Sequence, residues 1–287
     1  MRLGTVTPSV VPSARRPAPH AGLGPRKVSL PISVVILTLN SAKTLGRALD
    51  SVRAFDEVVV LDGGSVDATQ SIAAAYPNVV YRTNPFEGFS SQRNVALRHA
   101  SHAWCLVLDS DEAVTPELVA GLSSRSWDDS ALPLYYVMRT DWFMGRAQER
   151  GYACSITHPR FFRRRGAEYR GHLHEAPFLD GRKPRRDGEW VGTLPLAWRI
   201  LHNPDAGIED ELARIGRYSI LRARERIEAG KEITAIGVLR SLVRDALTVY
   251  RREWRNGQRG FIRTVLVCSH RCLANVAVYA ERVRRQR

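Results

Sequence analysis

Residues 32–62 read ISVVILTLNSAKTLGRALDSVRAFDEVVVLD and alternate between two kinds of pattern. Residues 32–40 form a continuous, β-branched apolar run, which is typical of a strand covered on both faces. Leu45, Leu49, Val52 and Phe55 follow at helical spacing, and Ser41 is predicted to be the helix N-cap. A second strand is predicted at 57–62. Such a strand–helix–strand unit predicts parallel strands joined by a right-handed crossover.

The same alternation continues along the first half of the chain. Helices are predicted at 65–76 and 90–100, and strands at 78–82, 104–109, 132–145 and 158–164. From residue 208 onward the pattern is helical. Because strands alternate with helices of about three turns, the predicted class is α/β, with a Rossmann-like, mostly parallel sheet flanked by helices and followed by a helical extension.

Polar residues follow three of the predicted strands. Thr38 and Asn40 follow the first strand, Asp62 ends the second, and Asp109 and Asp111 end the fourth. In parallel sheets ligands bind beyond the carboxyl ends of the strands. Residues of this kind also begin turns and cap helices, and for Asn40 alone the two interpretations are equally good. Acids at several converging strand ends favour a binding site.

The absence of two glycine motifs limits how phosphates could be bound. There is neither the G-x-G-x-x-G of dinucleotide folds nor a P-loop. Two carboxylates one residue apart at a strand end, Asp109 and Asp111, can instead hold a divalent cation that bridges two phosphates. Because carboxylate oxygens are hard ligands, which suit Mg²⁺ and Mn²⁺, one of these ions is the predicted cofactor.

The charge of the chain indicates an acidic partner. The net charge is +14, and 18 of the 43 basic but only 9 of the 29 acidic residues lie in 208–287. This composition fits nucleic acid, an anionic membrane or phosphorylated substrates. No recognised nucleic-acid-binding motif accompanies the basic residues, so we expect no nucleic-acid partner.

Residues 261–283 combine an apolar stripe with basic residues. The stripe comprises Ile262, Val265, Cys272, Val276, Tyr279 and Val283. The pattern predicts an interfacial amphipathic helix on anionic lipid. A helix packed on the catalytic domain or in a homodimer interface would have almost the same pattern, and both interpretations stay open.

Three predicted regions follow from these patterns: a leader (1–30), an α/β domain (31–205) and a basic helical extension (206–287). The leader is rich in proline and arginine and lacks the apolar core of a secretory signal, so we interpret it as a disordered leader or as a mis-called start of the chain. No window of the chain holds the ~18–20 uninterrupted apolar residues of a membrane span. We therefore expect a protein that is not integral to a membrane.

Several motifs, in this order, resemble family 2 glycosyltransferases of the GT-A fold. They are SVVILTLNSAKTLGRALDSV (33–52), EVVVLDGGSVDAT (57–69) and FSSQRNVALRHASHAWCLVLDSDE (89–112). Together with RFFRRRGAEYRGHLHEAP (160–177), they are similar to the branch that includes β-1,4-glucosyltransferases of the lipopolysaccharide core. Val66 departs from the family's usual Thr, and Gly63-Gly64 from its usual small polar residues or Asp.

The resemblance implies a role for each matching residue. Asp62 would bind the uracil or ribose side of a nucleotide, Asp67 would order the loop, and Asp109 would touch ribose and metal. Asp111 would be the principal metal ligand, whereas Glu112 would support the turn or cap the helix that begins near Thr115-Pro116. The residues assigned to the nucleotide sugar are Thr38, Asn40, Asp62, Asp67, Arg93, Asn94 and Asp109.

The part of the active site that binds the acceptor is predicted to come from residues 169–177. An inverting transferase needs a carboxylate to take the proton of the acceptor hydroxyl, and Glu175 is the candidate base. The alternative is an ion pair of Glu175 with Arg160 or Arg163. His172 and His174 could ligate a metal, but we interpret them as structural or substrate-contacting.

The predicted function is an inverting, metal-dependent transfer of a hexose from a nucleotide sugar such as UDP-glucose to a glycan or glycolipid acceptor. A lipid-linked or lipopolysaccharide-type acceptor would place the enzyme in the cytoplasm, peripherally associated with the inner face of the cytoplasmic membrane, in cell-envelope synthesis. The alternatives are a catalytically inactive sugar-nucleotide-binding or scaffold protein and a basic nucleic-acid-binding protein.

Overall fold

A computed structural model describes residues 30–128, 131–144, 146–147, 154–156, 158–171, 175–202 and 208–285. The predicted leader, apart from Leu30, lies outside these ranges, as does the predicted domain boundary at 205/206. Leu30 already belongs to the first strand.

The described residues form fourteen strands, several of them short, and seven helices. The strands are β1 (Leu30–Thr38), β2 (Phe55–Asp62), β3 (Val79–Thr83), β4 (Trp104–Asp109), β5 (Glu112–Val114), β6 (Leu134–Tyr136), β7 (Met138–Phe143), β8 (Arg146–Ala147), β9 (Cys154–Ser155), β10 (Pro159–Arg163), β11 (Ala167–Arg170), β12 (Ala176–Leu179), β13 (Gly192–Thr193) and β14 (Arg199–His202). The helices are α1 (Leu45–Ser51), α2 (Thr69–Ala74), α3 (Phe89–His99), α4 (Pro116–Ser123), α5 (Ile208–Glu228), α6 (Ala235–Glu253) and α7 (Gly257–Arg285).

The main sheet confirms the predicted α/β class. Its order is β13-β6-β10-β4-β1-β2-β3, and β1 to β4 are parallel to their neighbours within this group. The strand β10 then adds antiparallel to β4. The chain runs outward from β1 through β2 and β3 and then returns to place β4 on the other side of β1. The carboxyl ends of β1 and β4 therefore flank a topological switch point, where such sheets bind ligands.

Alternating side chains of β1 fill two cores. Val34 and Ile36 pack in the cluster that includes α1 and α4, whereas Val35 packs in the cluster that includes α3. All three are fully buried. Burying such a side chain contributes about 1.5–3 kcal/mol, so the continuous apolar run is what fixes β1 at the centre of the sheet.

The first helix begins later than the sequence predicts. Its N-cap is Thr44 rather than Ser41. The carbonyl of Ser41 accepts from the N–H groups of Thr44 and Leu45, at 3.0 and 2.9 Å, so a turn precedes the helix. The Ser41 hydroxyl instead contacts Ser110 Oγ at 2.8 Å, and it therefore joins the loop after β1 to the loop after β4.

A smaller sheet lies next to the carboxyl end of β4. It is ordered β5-β14-β7-β8, and β9 pairs with β7. In its register His202 of β14 lies opposite Glu112 of β5 on one side and Asp141 of β7 on the other. This sheet therefore brings a histidine from residue 202 to the turn that carries Asp109 and Asp111. The strands β11 and β12 form a separate antiparallel hairpin.

The extension is a bundle in which α7 contacts both α5 and α6. The buried amide of Asn275 on α7 contacts Arg226 of α5 and donates to Ser241 Oγ of α6 at 2.7 Å. Of the stripe predicted for lipid, only Val265 and Val276 are exposed. The other four stripe residues are half-buried, whereas the buried apolar residues of α7, such as Leu266, Ala274 and Val278, lie outside the stripe, so both interpretations of the stripe stay open.

One stretch of the described chain, Ala235–Arg285, is long and apolar enough to cross a membrane by length and composition alone. Within it, 33% of the most apolar window is buried in the protein. The expectation of a non-integral protein stays a prediction.

Candidate functional site

The ends of β1 and β2 carry two buried polar atoms without a hydrogen-bond partner among the described residues. These are Thr38 Oγ1 and Asp62 Oδ2, and the two residues are register partners. The other carboxylate oxygen of Asp62 accepts from the N–H groups of Gly64 and Ser65, both at 2.6 Å. An unpaired buried polar atom costs about 1–3 kcal/mol, so this edge favours a ligand that pairs with it.

Asn40 and Asp67 hold the loop beside this edge. Asn40 has a positive φ of 50°, and its side-chain oxygen accepts from Val66 N at 2.9 Å. Asp67 accepts from Ala42 N and Thr69 N, both at 3.0 Å. Gly64 has a φ of 105°, which side-chain-bearing residues rarely adopt, so the turn after Asp62 needs a glycine there. The side chain of Val66 is almost fully exposed, so its departure from the family pattern disturbs no packing.

Arg93 and Asn94 on α3 have different surroundings. The side chain of Arg93 is 8% exposed, and it contacts Asp109 Oδ1 at 2.7 Å and Glu175 Oε1 at 3.3 Å. Asn94 instead donates to the carbonyl of Tyr169 at 2.9 Å and accepts from its N–H at 2.7 Å. The amide of Asn94 therefore ties α3 to β11, whereas Arg93 points into the carboxylate cluster.

Asp109 is held between two guanidinium groups. Besides Arg93, Arg160 donates to Asp109 Oδ2 at 3.3 Å and to Glu112 Oε1 at 3.0 Å. Burial would raise the pKa of Asp109, but Arg160 and Arg93 hold it well below its usual range. The fully buried Glu112 accepts from Asp109 N at 2.9 Å and so supports the turn, as predicted. Asp109 is therefore ionised and rigidly placed.

Asp111 lies next to a histidine. Its side chain is 37% exposed, and Oδ2 is 3.3 Å from His202 Nε2. The other ring nitrogen of His202, Nδ1, is 3.0 Å from Asp141 Oδ1. Burial opposes the charged imidazole, but the hydrogen bonds with Asp111 and Asp141 raise the pKa of His202 to about 9.

The helical extension reaches this cluster through Arg263 of α7. Its guanidinium forms an ion pair with Asp141 Oδ2, and Arg139 contacts Asp141 Oδ1 at 3.2 Å. Burial would raise the pKa of Asp141, but His202, Arg263 and Arg139 hold it below its usual range. The chain Arg263–Asp141–His202–Asp111 therefore connects α7 to the predicted metal motif.

The donor atoms at this edge suit a divalent cation shared with a substrate. The described residues include no cluster of three or more His, Cys, Asp or Glu side chains able to hold a metal alone. Mg²⁺ is usually bound by one or two carboxylates together with substrate phosphates, so a complete protein cage is not required. Asp111 is exposed enough to bind an ion. His202, whose pKa is raised to about 9, would offer Nε2 to the same ion only after losing a proton, and its contact with Asp141 through Nδ1 would then orient it. The residues present therefore fit the predicted cation.

Glu175 lies beside the donor-side carboxylate rather than next to either arginine that the sequence suggested. Its partner is Arg93. Arg163 donates instead to the carbonyls of Asp128 and Ala131, at 2.9 and 3.1 Å. His172 and His174 lie outside the described residues.

Sequence reasoning missed Arg139 and His202 of the cluster. It named Arg160 only as a possible ion-pair partner of Glu175, and Asp141 only as the next carboxylate to test as the base. None of them lies within a strand-end acidic motif. The signal that could have identified His202 is its position at the end of the short apolar segment RILH (199–202), which pairs with the segment holding Asp141.

The sequence profile described as "Glycosyl transferase family 2" matches residues 33–180. The lipopolysaccharide core biosynthesis glycosyltransferase LpsC of Rhizobium meliloti is 24% identical over 258 residues, which cover 87% of this chain and 92% of LpsC. Among solved structures, residues 1–349 of S. aureus TarS match with a TM-score of 0.38 and 24% identity over 46% of this chain and 47% of TarS. The mannosyltransferase PcManGT from Pyrobaculum calidifontis, in complex with GDP-Man and Mn²⁺, matches with a TM-score of 0.44 and 18% identity over 70% of this chain and 65% of that one.

The profile covers more than half of the chain, including the parallel strands and the Asp109–Asp111 turn. The mostly parallel sheet with flanking helices is that of a GT-A fold. The chain belongs to glycosyl transferase family 2 and is a glycosyltransferase.

Proposed function

We propose that this glycosyltransferase is an inverting, metal-dependent hexosyltransferase. It takes a hexose from a nucleotide sugar, UDP-glucose or a similar donor, and transfers it to a lipid-linked or lipopolysaccharide-type glycan. One observation carries the proposal: Arg93 contacts both Asp109 and Glu175, at 2.7 and 3.3 Å. The donor-side carboxylate and the candidate base therefore lie on either side of one guanidinium, although 66 positions separate them in the sequence.

The donor site is assigned to the edge of β1 and β2. Thr38 Oγ1 and Asp62 Oδ2 are buried atoms able to pair with the nucleoside. Asn40 and Asp67 fix the neighbouring loop through their backbone contacts. Arg93 faces the donor, and Asn94 contributes indirectly because it holds β11.

Asp109 and Asp111 are the residues that would hold Mg²⁺ or Mn²⁺, and Nε2 of His202 would contact the same ion only once its proton is displaced. A divalent ion there would neutralise the diphosphate leaving group. Asp141 contacts Nδ1 of His202 and would keep Nε2 directed at the ion.

Glu175 is assigned the role of general base. Its carboxylate takes the proton of the acceptor hydroxyl while that oxygen attacks C1 of the donor sugar from the face opposite the diphosphate. The C1–oxygen bond to the diphosphate breaks as the new bond forms, which inverts the anomeric centre.

The acceptor class rests on similarity to LpsC, which extends over most of both chains. A soluble nucleotide-sugar donor and a lipid-linked acceptor would bring the reaction to the inner face of the cytoplasmic membrane. The basic extension supplies the charge for binding anionic lipid.

The exposed apolar residues of α6 are better placed for lipid than the stripe of α7. They recur at spacings of three and four on one helix face, and their exposed fractions lie between 48% and 64%. They are Ile236, Leu239, Val243, Leu247 and Tyr250, and Trp254, in the short 3₁₀ turn directly after α6, continues the same row. We propose that this face rests on an anionic membrane, since arginines such as Arg240 and Arg251 lie beside it on the helix.

The membrane role is tested with Leu239→Ser/Leu247→Ser. This variant should release the protein from anionic vesicles in a flotation assay and leave metal-dependent hydrolysis of the donor unchanged. Leu196→Ser, which alters an exposed leucine of the α/β domain, is the matched control and should float like the parent. If the double variant floats normally but no longer dimerises, the α6 face is a homodimer interface instead.

The catalytic proposal is tested with Glu175→Gln. General-base assistance is worth about 10²–10⁴-fold, so transfer should fall by that factor while donor affinity stays within about threefold of the parent. Glu168→Gln, which removes an exposed carboxylate from the nearby hairpin, is the control. A folded Glu175→Gln protein with normal transfer would remove Glu175 from the mechanism.

A parent that binds donor and metal but transfers nothing, across a panel of UDP- and GDP-sugars, would indicate an inactive binding protein.

A further inference from the structure

The extension contains an open cleft of about 440 Å³, lined by α5, α6, α7 and the connection between α5 and α6, and no residue of the donor edge lines it. Its lining is strongly cationic. The basic residues around it are Arg222, Arg226, Lys231, Arg244 and Arg271, and the acidic ones are Glu232 and Asp245.

The two carboxylates do not offset this charge. Asp245 is shared by Arg271 at 3.4 Å and Arg244 at 3.6 Å. Glu232 is largely exposed and contacts Arg282, a residue outside the lining, at 3.5 Å. A net excess of positive charge therefore faces the cleft.

Arg226 is the cation that this excess affects most clearly. It is partly buried between the helices and contacts the amide oxygen of Asn275 rather than a carboxylate. Burial and crowding by Arg222, Arg244 and Arg271 lower the pKa of Arg226. The folded protein therefore keeps like charges close together at a cost that a bound anion would relieve.

The first turn of α6 also lines this cleft. Thr234 caps this 19-residue helix by accepting from Gly237 N at 3.0 Å, and both residues line the cleft. The N-terminus of a helix carries a partial positive charge, which attracts anions.

We propose that this cleft binds a phosphate-bearing ligand. Several guanidinium groups favour phosphate because each can donate two parallel hydrogen bonds to its oxygens. The volume is that of a small-molecule site and exceeds what one phosphate ion needs, so the ligand is a phosphorylated sugar or a lipid headgroup. None of the lining residues belongs to the donor site, so this proposal is independent of the proposed transfer reaction.

The first test is thermal unfolding with sodium phosphate or pyrophosphate, against sodium chloride at the same ionic strength. EDTA is included to exclude metal–diphosphate binding. Phosphate should raise the melting temperature of the parent, of Asp111→Asn and of the control Arg224→Gln, which removes an exposed arginine of α5 outside the cleft. In Arg222→Gln/Arg226→Gln the phosphate affinity should fall by about tenfold or more. Without phosphate this variant should melt no lower than the parent, because like-charge crowding is relieved.

The second test distinguishes the two sources of phosphate. If the ligand is a lipid, the parent binds vesicles containing phosphatidic acid better than phosphatidylglycerol vesicles of equal surface charge, and the double variant loses this preference. If it is a soluble sugar phosphate, glucose 6-phosphate stabilises the parent but not the double variant, and no lipid preference is seen. Equal stabilisation of the parent and the double variant by phosphate, or no stabilisation beyond that by chloride, would overturn the proposal.

Discussion

Arg263→Gln tests whether the helical extension is part of the active centre. Arg263 is the residue of α7 that forms an ion pair with Asp141, and Asp141 in turn contacts His202 at 3.0 Å. Both side chains are mostly buried, so removing the guanidinium leaves a buried carboxylate with less compensation. Asp141 still has Arg139 at 3.2 Å and His202.

The expected stability loss follows from these remaining contacts. Breaking a buried ion pair that leaves one charge alone costs ~3–5 kcal/mol, but Asp141 keeps two partners. We therefore expect a loss of about 1–3 kcal/mol, the cost of one unmade hydrogen bond to a charged group. For a chain of this length that lowers the melting temperature by about 2–12 °C.

The expected functional loss is in metal affinity. Partners that orient a metal-binding residue typically contribute 10–100-fold to metal affinity, so Mn²⁺ should support donor binding in Arg263→Gln only at about 10–100-fold higher concentration. Arg263→Lys keeps the positive charge but lacks the planar guanidinium, so its Mn²⁺ requirement should lie between that of the parent and that of Arg263→Gln. The assay is a Mn²⁺ titration of UDP-sugar binding, followed by the same titration of transfer.

Arg259→Gln is the matched control. Arg259 lies one turn earlier on α7 and donates to the carbonyl of Met144 at 3.3 Å, so it also joins α7 to the region of β7 but contacts no carboxylate of the cluster. Its loss should change neither metal affinity nor transfer by more than about threefold. If Arg263→Gln lowers the melting temperature yet leaves the Mn²⁺ requirement unchanged, Arg263 only fastens the bundle and the reasoning is refuted.

Two further predictions concern the loops and helices around the donor edge. Gly64→Ala should destabilise the fold by about 1–3 kcal/mol and weaken donor binding. The cost is backbone strain at a φ of 105° and not a clash, since nothing lies near the added methyl group. Gly63→Ala should be close to neutral in the same denaturation and binding assays. Asn94→Ala should lower stability by about 1–3 kcal/mol because it removes both hydrogen bonds to the backbone of Tyr169; a drop in donor affinity without any loss of stability would instead place its amide in the donor site.

The sheet was predictable because its strands are continuous apolar runs. The first four predicted strands all exist, and 104–109 has the predicted bounds. Ser41 was wrongly predicted to be the N-cap of α1, because a serine before an apolar helical repeat resembles an N-cap. In the structure its carbonyl accepts hydrogen bonds in a turn that precedes the helix. Nothing local to the sequence distinguishes these two uses.

The carboxylate cluster was predictable only in part. Asp62, Asp109 and Asp111 follow apolar strands and could be identified from that pattern. His202 and Asp141 come together through the parallel pairing of β14 with β7, a long-range register that no local motif encodes. Likewise, Arg263 could not be assigned to Asp141, because a basic residue beside the apolar stripe of α7 is compatible with contact to lipid, to a second copy of the chain or to the site itself.

The most direct test of the central claim is UDP-sugar binding and transfer by Asp111→Asn with Mn²⁺ and with EDTA. The account predicts that the parent binds and transfers only with the divalent ion. Asp111→Asn should lose most donor affinity and nearly all turnover, while Asp187→Asn, which changes an exposed aspartate of a distant loop, should behave like the parent. Full transfer by Asp111→Asn in EDTA would contradict a metal-dependent mechanism at this edge of the sheet.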